Sequence, residues 1–349
     1  MWRPLAQLFV PLVLPLITAT YLLTAPHGWL VAFSAYGLII TAIGIDMIAG
    51  PERTQPTRAL PDSAHDLVLY AAFGLQMSNL ALLMPHVLRG GFFSLDTHAA
   101  IFLVGANSAY SAIVVGHELI HRPQKHFRSM GRILMASVLY EHFFTEHIRG
   151  HHRRIGTEDD PATARYGETI GQFFRRTVPG QFNSAWRLET KRLGDADMPL
   201  TDRRLLRSRV VQGLALGWGT AAAIAMLLGP VPLFAFVLQA ALAVLLLESV
   251  NYVEHWGLRR RAKRVSTVDS WDTESWFTYY TLVGLSRHAD HHAHAARPYQ
   301  ALRHFDESPK MPYGYWGTVI MALFRNHSYR ATVDAELKAR SLGPYAAAA

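Results

Sequence analysis

The sequence predicts an all-α integral membrane protein with six transmembrane helices and a cytoplasmic helical cap that holds a histidine-rich metal site. Two features of the 349-residue chain lead to this prediction. Half of its 18 histidines fall in four short clusters, and its apolar residues are concentrated in long stretches without Asp, Glu, Lys or Arg. These uncharged stretches cover residues 4–45, 67–88, 97–117 and 210–247.

The uncharged stretches are long enough to cross a bilayer, which takes about 20 apolar residues per helix. The first contains two spans separated at Pro26-His27-Gly28, and the last contains two separated at Gly229-Pro230. Buried helices of a soluble protein are disfavoured, because runs this long would have to be wholly interior. A cleaved signal peptide is disfavoured because no charge separates the first span from the second. The predicted spans are 5–25, 29–49, 67–88, 98–121, 210–228 and 232–254.

The distribution of charge predicts the orientation. With six spans both termini share one side, which holds nearly all of the 34 Lys and Arg residues, whereas Arg89 is the single basic residue on the other. The positive-inside rule therefore predicts cytoplasmic termini. The pI of 9.8 then reflects topology, and nucleic-acid binding is not expected, since no aromatic platform or binding module accompanies the charge. The predicted segments are 1–121 with four spans, 122–208 in the cytoplasm, 209–255 with two spans, and 256–349 in the cytoplasm.

The chain contains no cysteine. This excludes an iron–sulfur cluster, a thiolate-ligated haem and a cysteine nucleophile. The sequence also lacks a strand followed by a glycine-rich loop of the dinucleotide-binding type. Gly213 and Gly217 lie four residues apart inside a predicted span, where they favour close helix packing. A redox reaction would therefore need electrons from another protein.

The histidine clusters have the spacing of metal ligands. Residues four apart lie one turn apart on the same helical face, and the predicted topology brings all four clusters to the same side of the membrane. A zinc site uses at most four ligands, so nine histidines are too many for one ion and indicate two. The predicted ligands are His117 and His121; His147, His151 and His152; His255; and His288, His291 and His292.

Carboxylates near the clusters are candidates for holding the second ring nitrogen of each ligand, with ion pairing to nearby arginines as the alternative. His142 and His294 are expected to support the site or lie at the surface, and His304 is expected to be an ordinary polar residue. Residues 117–121 also match the HExxH pattern of zinc proteases, with Glu118 as general base, but a protease would leave seven clustered histidines without a role. The candidate carboxylates are Glu118, Glu141, Glu146, Asp159, Asp160, Glu254 and Asp290.

These motifs resemble those of the integral-membrane non-haem diiron monooxygenases typified by bacterial alkane 1-monooxygenase, within the membrane fatty acid desaturase and hydroxylase superfamily. The similarity runs from about the second span to residue 325. It rests on the stretches HELIH (117–121), EHIRGHH (146–152), DPATARYGE (160–168), NYVEH (251–255), HADHHAH (288–294) and YQALR (299–303).

The resemblance implies a diiron site held by the nine histidines, with O2 as co-substrate and hydroxylation of a medium-chain n-alkane to the primary alcohol. It also implies that the protein lies in a bacterial inner membrane and that a hydrophobic substrate enters the site from the lipid. Electrons would come from a rubredoxin or ferredoxin-type carrier that an NAD(P)H reductase reduces. A basic run at Arg259-Arg260-Arg261 is a candidate docking site for such a carrier. Possible channel residues, for which core packing is the alternative, are Tyr36, Tyr70, Phe73, Asn107 and Tyr110.

Two other functions stay open at this point. A related desaturase or ring-methyl hydroxylase would use the same metals on fatty acyl, xylene-like or terpenoid substrates. A membrane protein that binds or transports metal without catalysis would use the histidines alone. Product analysis separates the first from alkane hydroxylation, and O2 consumption separates the second.

Overall fold

The computed structural model describes residues 2–57 and 59–346, and these residues form helices and loops without a β-strand. Thirteen helices organise this part of the chain. They are α1 (Trp2–Thr24), α2 (Trp29–Ile48), α3 (Asp62–Gly90), α4 (Leu95–His121), α5 (Lys125–Ala136), α6 (143–154), α7 (Ile170–Arg192), α8 (Arg209–Leu228), α9 (Pro230–His255), α10 (Trp276–Thr281), α11 (His288–Ala293), α12 (Tyr315–Phe324) and α13 (Asn326–Ala339).

Six of these helices, α1 to α4, α8 and α9, are long and apolar enough to cross a membrane, which confirms the predicted number of spans. Their ends differ from the prediction by a few residues because a helix continues past its apolar run wherever polar residues stabilise its ends. For example, α3 begins at Asp62, whose negative charge in the first turn is favourable at a helix N-terminus. The Ser94 side chain accepts a hydrogen bond from the Thr97 amide and caps α4.

The chain divides into two compact units. Unit 1 comprises residues 1–42, 58–141 and 211–245, and unit 2 comprises residues 43–57, 142–210 and 246–349. In unit 1, α4 is the most buried of the six spans. Gly217 lies on α8 where a Cβ atom would come within 3.0 Å of the Ala136 carbonyl oxygen, so the predicted close packing at this glycine is confirmed.

Buried polar side chains inside unit 1 form hydrogen bonds with one another. Gln76 donates to Ser108 over 2.8 Å, Ser108 donates to Gln239 over 2.6 Å, and Asn107 donates to Gln76 over 2.8 Å. All four side chains are buried. A hydrogen-bonded chain of this kind ties α3, α4 and α9 together where hydrocarbon offers no alternative partner.

Unit 2 contains the second, third and fourth histidine clusters. Its core includes the fully buried rings of Trp256, Trp271, Tyr252 and Tyr329. Helix α7 begins with a capping box in which Thr169 and Gln172 bond to each other's backbone amides. Helices α6 and α11 and the end of α9 lie together in this unit.

Candidate metal centre

Helix α6 contains a π-helical turn at His147–His151, and this turn decides where the second cluster points. In an α-helix, residues five apart are separated by about 140° around the axis. A π-turn, with its i→i+5 hydrogen bonds, brings such residues to the same face, and the His152 amide indeed donates to the His147 carbonyl. The Nε2 atoms of His147 and His152 consequently lie 3.0 Å apart.

His151 is oriented by a buried carboxylate. Its Nδ1 atom lies 2.8 Å from Oδ2 of Asp160, whose side chain also accepts from the Thr163 hydroxyl over 2.6 Å and the Ala162 amide over 3.2 Å. Burial opposes ionisation of this carboxyl group, but His151 and Thr163 stabilise the anion and hold the pKa of Asp160 down at about 2. A charged acceptor on Nδ1 leaves Nε2 of His151 available as a ligand.

His255 is the last residue of α9 and is completely buried. Two buried tryptophans support the chain directly after it: the Trp271 indole donates to the Trp256 carbonyl, and the Trp256 indole donates to the Glu168 carbonyl. The His255 ring centroid lies 4.8 Å from that of His151 and 5.2 Å from that of His292. His255, the one histidine of the NYVEH motif, is therefore surrounded by other predicted ligands of unit 2.

Helix α11 presents His288, His291 and His292, all buried. Nε2 of His291 lies 3.2 Å from Nε2 of His152, and Nε2 of His292 lies 2.8 Å from Nε2 of His288. Burial, followed by the neighbouring histidines, lowers the pKa of His292 well below its ordinary value. The neutral imidazole that results is the form that binds metal ions.

Glu254 and Tyr315 join α9, α11 and α12. The Tyr315 hydroxyl donates to Oε1 of Glu254 over 2.5 Å, and Oε2 of Glu254 lies 3.1 Å from Nε2 of His288. All three side chains are buried. Glu254 can therefore either hold the ring of His288 or contribute an oxygen to a metal. Sequence reasoning missed Tyr315, because no local pattern marks a tyrosine 61 residues away as its partner.

Asp272 is a second residue that sequence reasoning did not assign to the site. Its Oδ1 atom accepts from the Ala289 amide over 2.7 Å, at the start of α11 and beside His288. Burial raises the pKa of Asp272 to about 6, although Lys310 opposes the rise.

The predicted ligands of unit 2, together with Glu254, fall into three groups, of which the second and third share His255. Within each group, the atoms lie no more than 4.8 Å apart: His147, His152 and His291; His151, His255 and His292; and Glu254, His255 and His288. Among the described residues, Nε2 of His151, Nδ1 of His292 and both ring nitrogens of His255 have no hydrogen-bond partner. Buried polar atoms are rarely left unpaired, so a set of imidazoles with unpaired nitrogens fits metal ions of imidazole-binding type.

The first cluster lies in unit 1. The rings of His117 and His121 are 4.9 Å apart at the end of α4, which agrees with their i, i+4 spacing. Glu118 accepts from Arg122 Nε over 2.7 Å, and Arg122 lies 3.3 Å from Asp66. The glutamate of the HExxH pattern is thus held in an ion pair, which disfavours its use as the free general base of a protease.

Other candidate carboxylates also contact arginines. Glu146 accepts from Arg154 over 2.7 Å, and burial raises the pKa of Glu146 to about 7. Asp290 accepts from Arg297, from His294 and from the Arg303 amide. Glu141 pairs with Arg132, and Asp159 is exposed. Asp160 and Glu254 are the carboxylates that the structure brings to predicted ligands of unit 2.

Gly150 provides the space for the Glu146–Arg154 pair. A Cβ atom there would lie 2.5 Å from each carboxylate oxygen of Glu146. We expect Gly150→Ala to lower the free energy of unfolding by about 1–3 kcal/mol, as overpacking of a core does, and to weaken metal retention through α6. Thermal unfolding in detergent measures the first effect and metal analysis the second. The control is Gly171→Ala in α7, where the new Cβ meets no atom within 4 Å, so it should unfold no more readily than wild type.

Comparison with known proteins identifies the family. The sequence model of the fatty acid desaturase family matches residues 96–320. The chain is 35% identical to alkane 1-monooxygenase 1 of Pseudomonas aeruginosa over 89% of this chain and 85% of that protein. It is 34% identical to alkane 1-monooxygenase 1 of Alcanivorax borkumensis, over 89% and 79%, and 24% identical to the xylene/toluene monooxygenase hydroxylase component of Pseudomonas putida, over 86% and 81%. The chain therefore belongs to the alkane 1-monooxygenase family of integral-membrane oxygenases, within the fatty acid desaturase and hydroxylase superfamily.

Proposed function

We propose that the protein hydroxylates the terminal carbon of a medium-chain n-alkane, using O2 and two non-haem irons bound by the nine clustered histidines. The observation that carries the proposal is the convergence of seven of these histidines in unit 2, with unpaired buried nitrogens on His151, His255 and His292. The names of the relatives, alkane 1-monooxygenases, support an alkane as the substrate class. His117 and His121, at the end of α4, are proposed to complete the ligand set.

Iron supplies the redox chemistry with O2 that cleavage of an unactivated C–H bond requires and that zinc lacks. The chain's own residues prepare the site for it. Asp160 fixes the ring orientation of His151, and Tyr315 holds Glu254 beside His288. Burial lowers the pKa of His292, so its imidazole stays neutral and able to bind a metal ion.

A ring-methyl hydroxylase is the second candidate, supported by the similarity to the xylene/toluene monooxygenase component. Both candidates are tested by feeding cells that contain the protein, a rubredoxin and its reductase with octane and m-xylene, followed by gas chromatography. The proposal predicts 1-octanol as the main product. A benzylic alcohol as the main product would favour the second candidate, and an alkene or no oxygenated product would contradict both.

The electrons are proposed to come from a small acidic iron–sulfur carrier of the rubredoxin or ferredoxin type, reduced by an NAD(P)H reductase. Arg259 and Arg261 are exposed on the segment after α9 and suit an acidic partner. Arg260 instead donates twice to the Arg153 carbonyl, at 3.0 Å each, and has a structural role.

Replacing both Arg259 and Arg261 by Gln should raise the carrier concentration needed for half-maximal turnover and leave the maximal rate nearly unchanged. Exposed charges are screened beyond about 8 Å at physiological ionic strength, so the wild-type requirement should also rise with salt. The matched control is Arg175→Gln, on the exposed side of α7. If the double variant and wild type bind the carrier with equal affinity, Arg259 and Arg261 are not part of the docking site.

A further inference from the structure

Helix α12 contains no charged residue and, apart from the buried Thr318, is apolar, although it is too short to cross a membrane. Its ten residues, Tyr315–Phe324, fall within an uncharged stretch from Met311 to Phe324. A bilayer span takes about 20 residues, so this helix is half the required length. In a water-soluble helix that packs against a core, the outward face is polar.

The outward face of α12 is formed by apolar residues. Trp316, Ile320 and Phe324 follow one another at i, i+4 spacing and share a face. Trp316 and Ile320 are partly exposed, and Phe324 is 78% exposed. The opposite face, which includes Tyr315, is buried within unit 2. The exposed side of α12 therefore lacks the polar residues that contact with water would favour.

The apolar face is continuous with the end of a membrane span. Asp46, near the end of α2, accepts from Thr278 over 2.8 Å and from the Gly317 amide over 3.0 Å, so α2, α10 and α12 meet at one carboxylate. A Cβ atom on Gly317 would come within 2.6 Å of Met47. Ile48 beside it is 85% exposed. The exposed apolar surface at the end of α2, formed by Met47 and Ile48, thus extends directly onto α12.

We infer that the outward face of α12 lies in the hydrocarbon of the bilayer leaflet at which α2 ends, and that the chain returns to the membrane after its last full span. A large exposed apolar patch is typical of a membrane contact. The return ends at Arg325, where the polar helix α13 begins. Because Tyr315 contacts Glu254, the immersed helix begins beside the histidines of unit 2. For the proposed hydrocarbon substrate this shortens the path from lipid to site, but the immersion does not depend on that function.

The absence of cysteine allows a direct test. A nitroxide is attached to single-cysteine variants in lipid nanodiscs, and power-saturation EPR compares its accessibility to O2, which concentrates in lipid, and to a water-soluble nickel chelate. Phe324→Cys is the test position. Ile40→Cys, 68% exposed in the middle of α2, is the lipid reference, and Ala335→Cys, on the exposed side of α13, is the water reference.

Immersion predicts that the label at position 324 is several-fold more accessible to O2 than to nickel, as at position 40, and opposite to position 335. All three positions are exposed, so the variants should fold, which size-exclusion chromatography and thermal unfolding verify. A label at 324 that behaves like the one at 335 would place α12 in water. A label shielded from both reagents would mean that protein, such as a second copy of this chain, covers the face. Either result overturns the inference.

Discussion

His255→Ala is expected to abolish hydroxylation and to lower the iron content of the purified protein as completely as His151→Ala. His255 is fully buried among ligand candidates from α6 and α11, and neither of its ring nitrogens has a hydrogen-bond partner among the described residues. Loss of this imidazole would remove a potential ligand that two of the three groups share. Iron analysis and product formation measure the two effects.

The controls for this experiment are His294→Ala and His304→Ala. His294 is half exposed and bonds to Asp290, and His304 bonds to the exposed Asp306. Both variants should keep measurable turnover and nearly full iron content. A His255→Ala protein with two irons and wild-type activity would exclude His255 from the ligand set. One zinc and no iron in the wild-type protein would contradict the diiron proposal itself.

Asp160→Asn is expected to reduce metal affinity or activity by about 10- to 100-fold, the usual effect of removing a carboxylate that orients a ligand histidine. The amide can still accept from His151, but it carries no charge to stabilise the Nδ1–H tautomer. Asp159→Asn is the matched control, since it makes the same chemical change at an exposed neighbour. Competition with a chelator measures metal affinity without requiring turnover. Equal affinity in both variants would show that Asp160 does not orient a ligand.

The stability that Asp160 contributes to the folded protein should depend on pH in a defined direction. The pKa of Asp160 is held at about 2, below its ordinary 3.8. A depressed pKa stabilises the folded protein above the unfolded-state value, and this contribution is lost as the pH falls through the folded-state value. The difference in unfolding free energy between wild type and Asp160→Asn should therefore be constant above about pH 5 and shrink between about pH 4 and 2. Urea unfolding at several pH values measures it.

Local features of the sequence were sufficient to predict the spans and the candidate ligands. A run of about 20 uncharged residues has few stable environments other than a bilayer, so the number of spans follows from composition alone. Histidines at i, i+4 spacing share a helical face whatever surrounds them. The orientation of the spans, the four-segment division and metal binding by the nine histidines stay predictions.

The choice among the seven candidate carboxylates was decided by tertiary structure. Glu118, Glu141 and Glu146 each have an arginine partner, whereas Asp160 and Glu254 contact predicted ligands of unit 2. A carboxylate's partner depends on which distant segments pack against it, and those contacts leave no periodic pattern in the sequence. Tyr315 and Asp272 were missed for the same reason.

The sequence by itself determined which residues could cross a membrane and which could bind metal, because both properties depend on residue type and spacing along one helix. The π-turn that aligns His147 with His152, the convergence of α6, α9 and α11, and the apolar outward face of α12 became known only from the tertiary structure. These features arise from packing between segments far apart in the chain, where the energy of a contact depends on both partners and neither one alone predicts it.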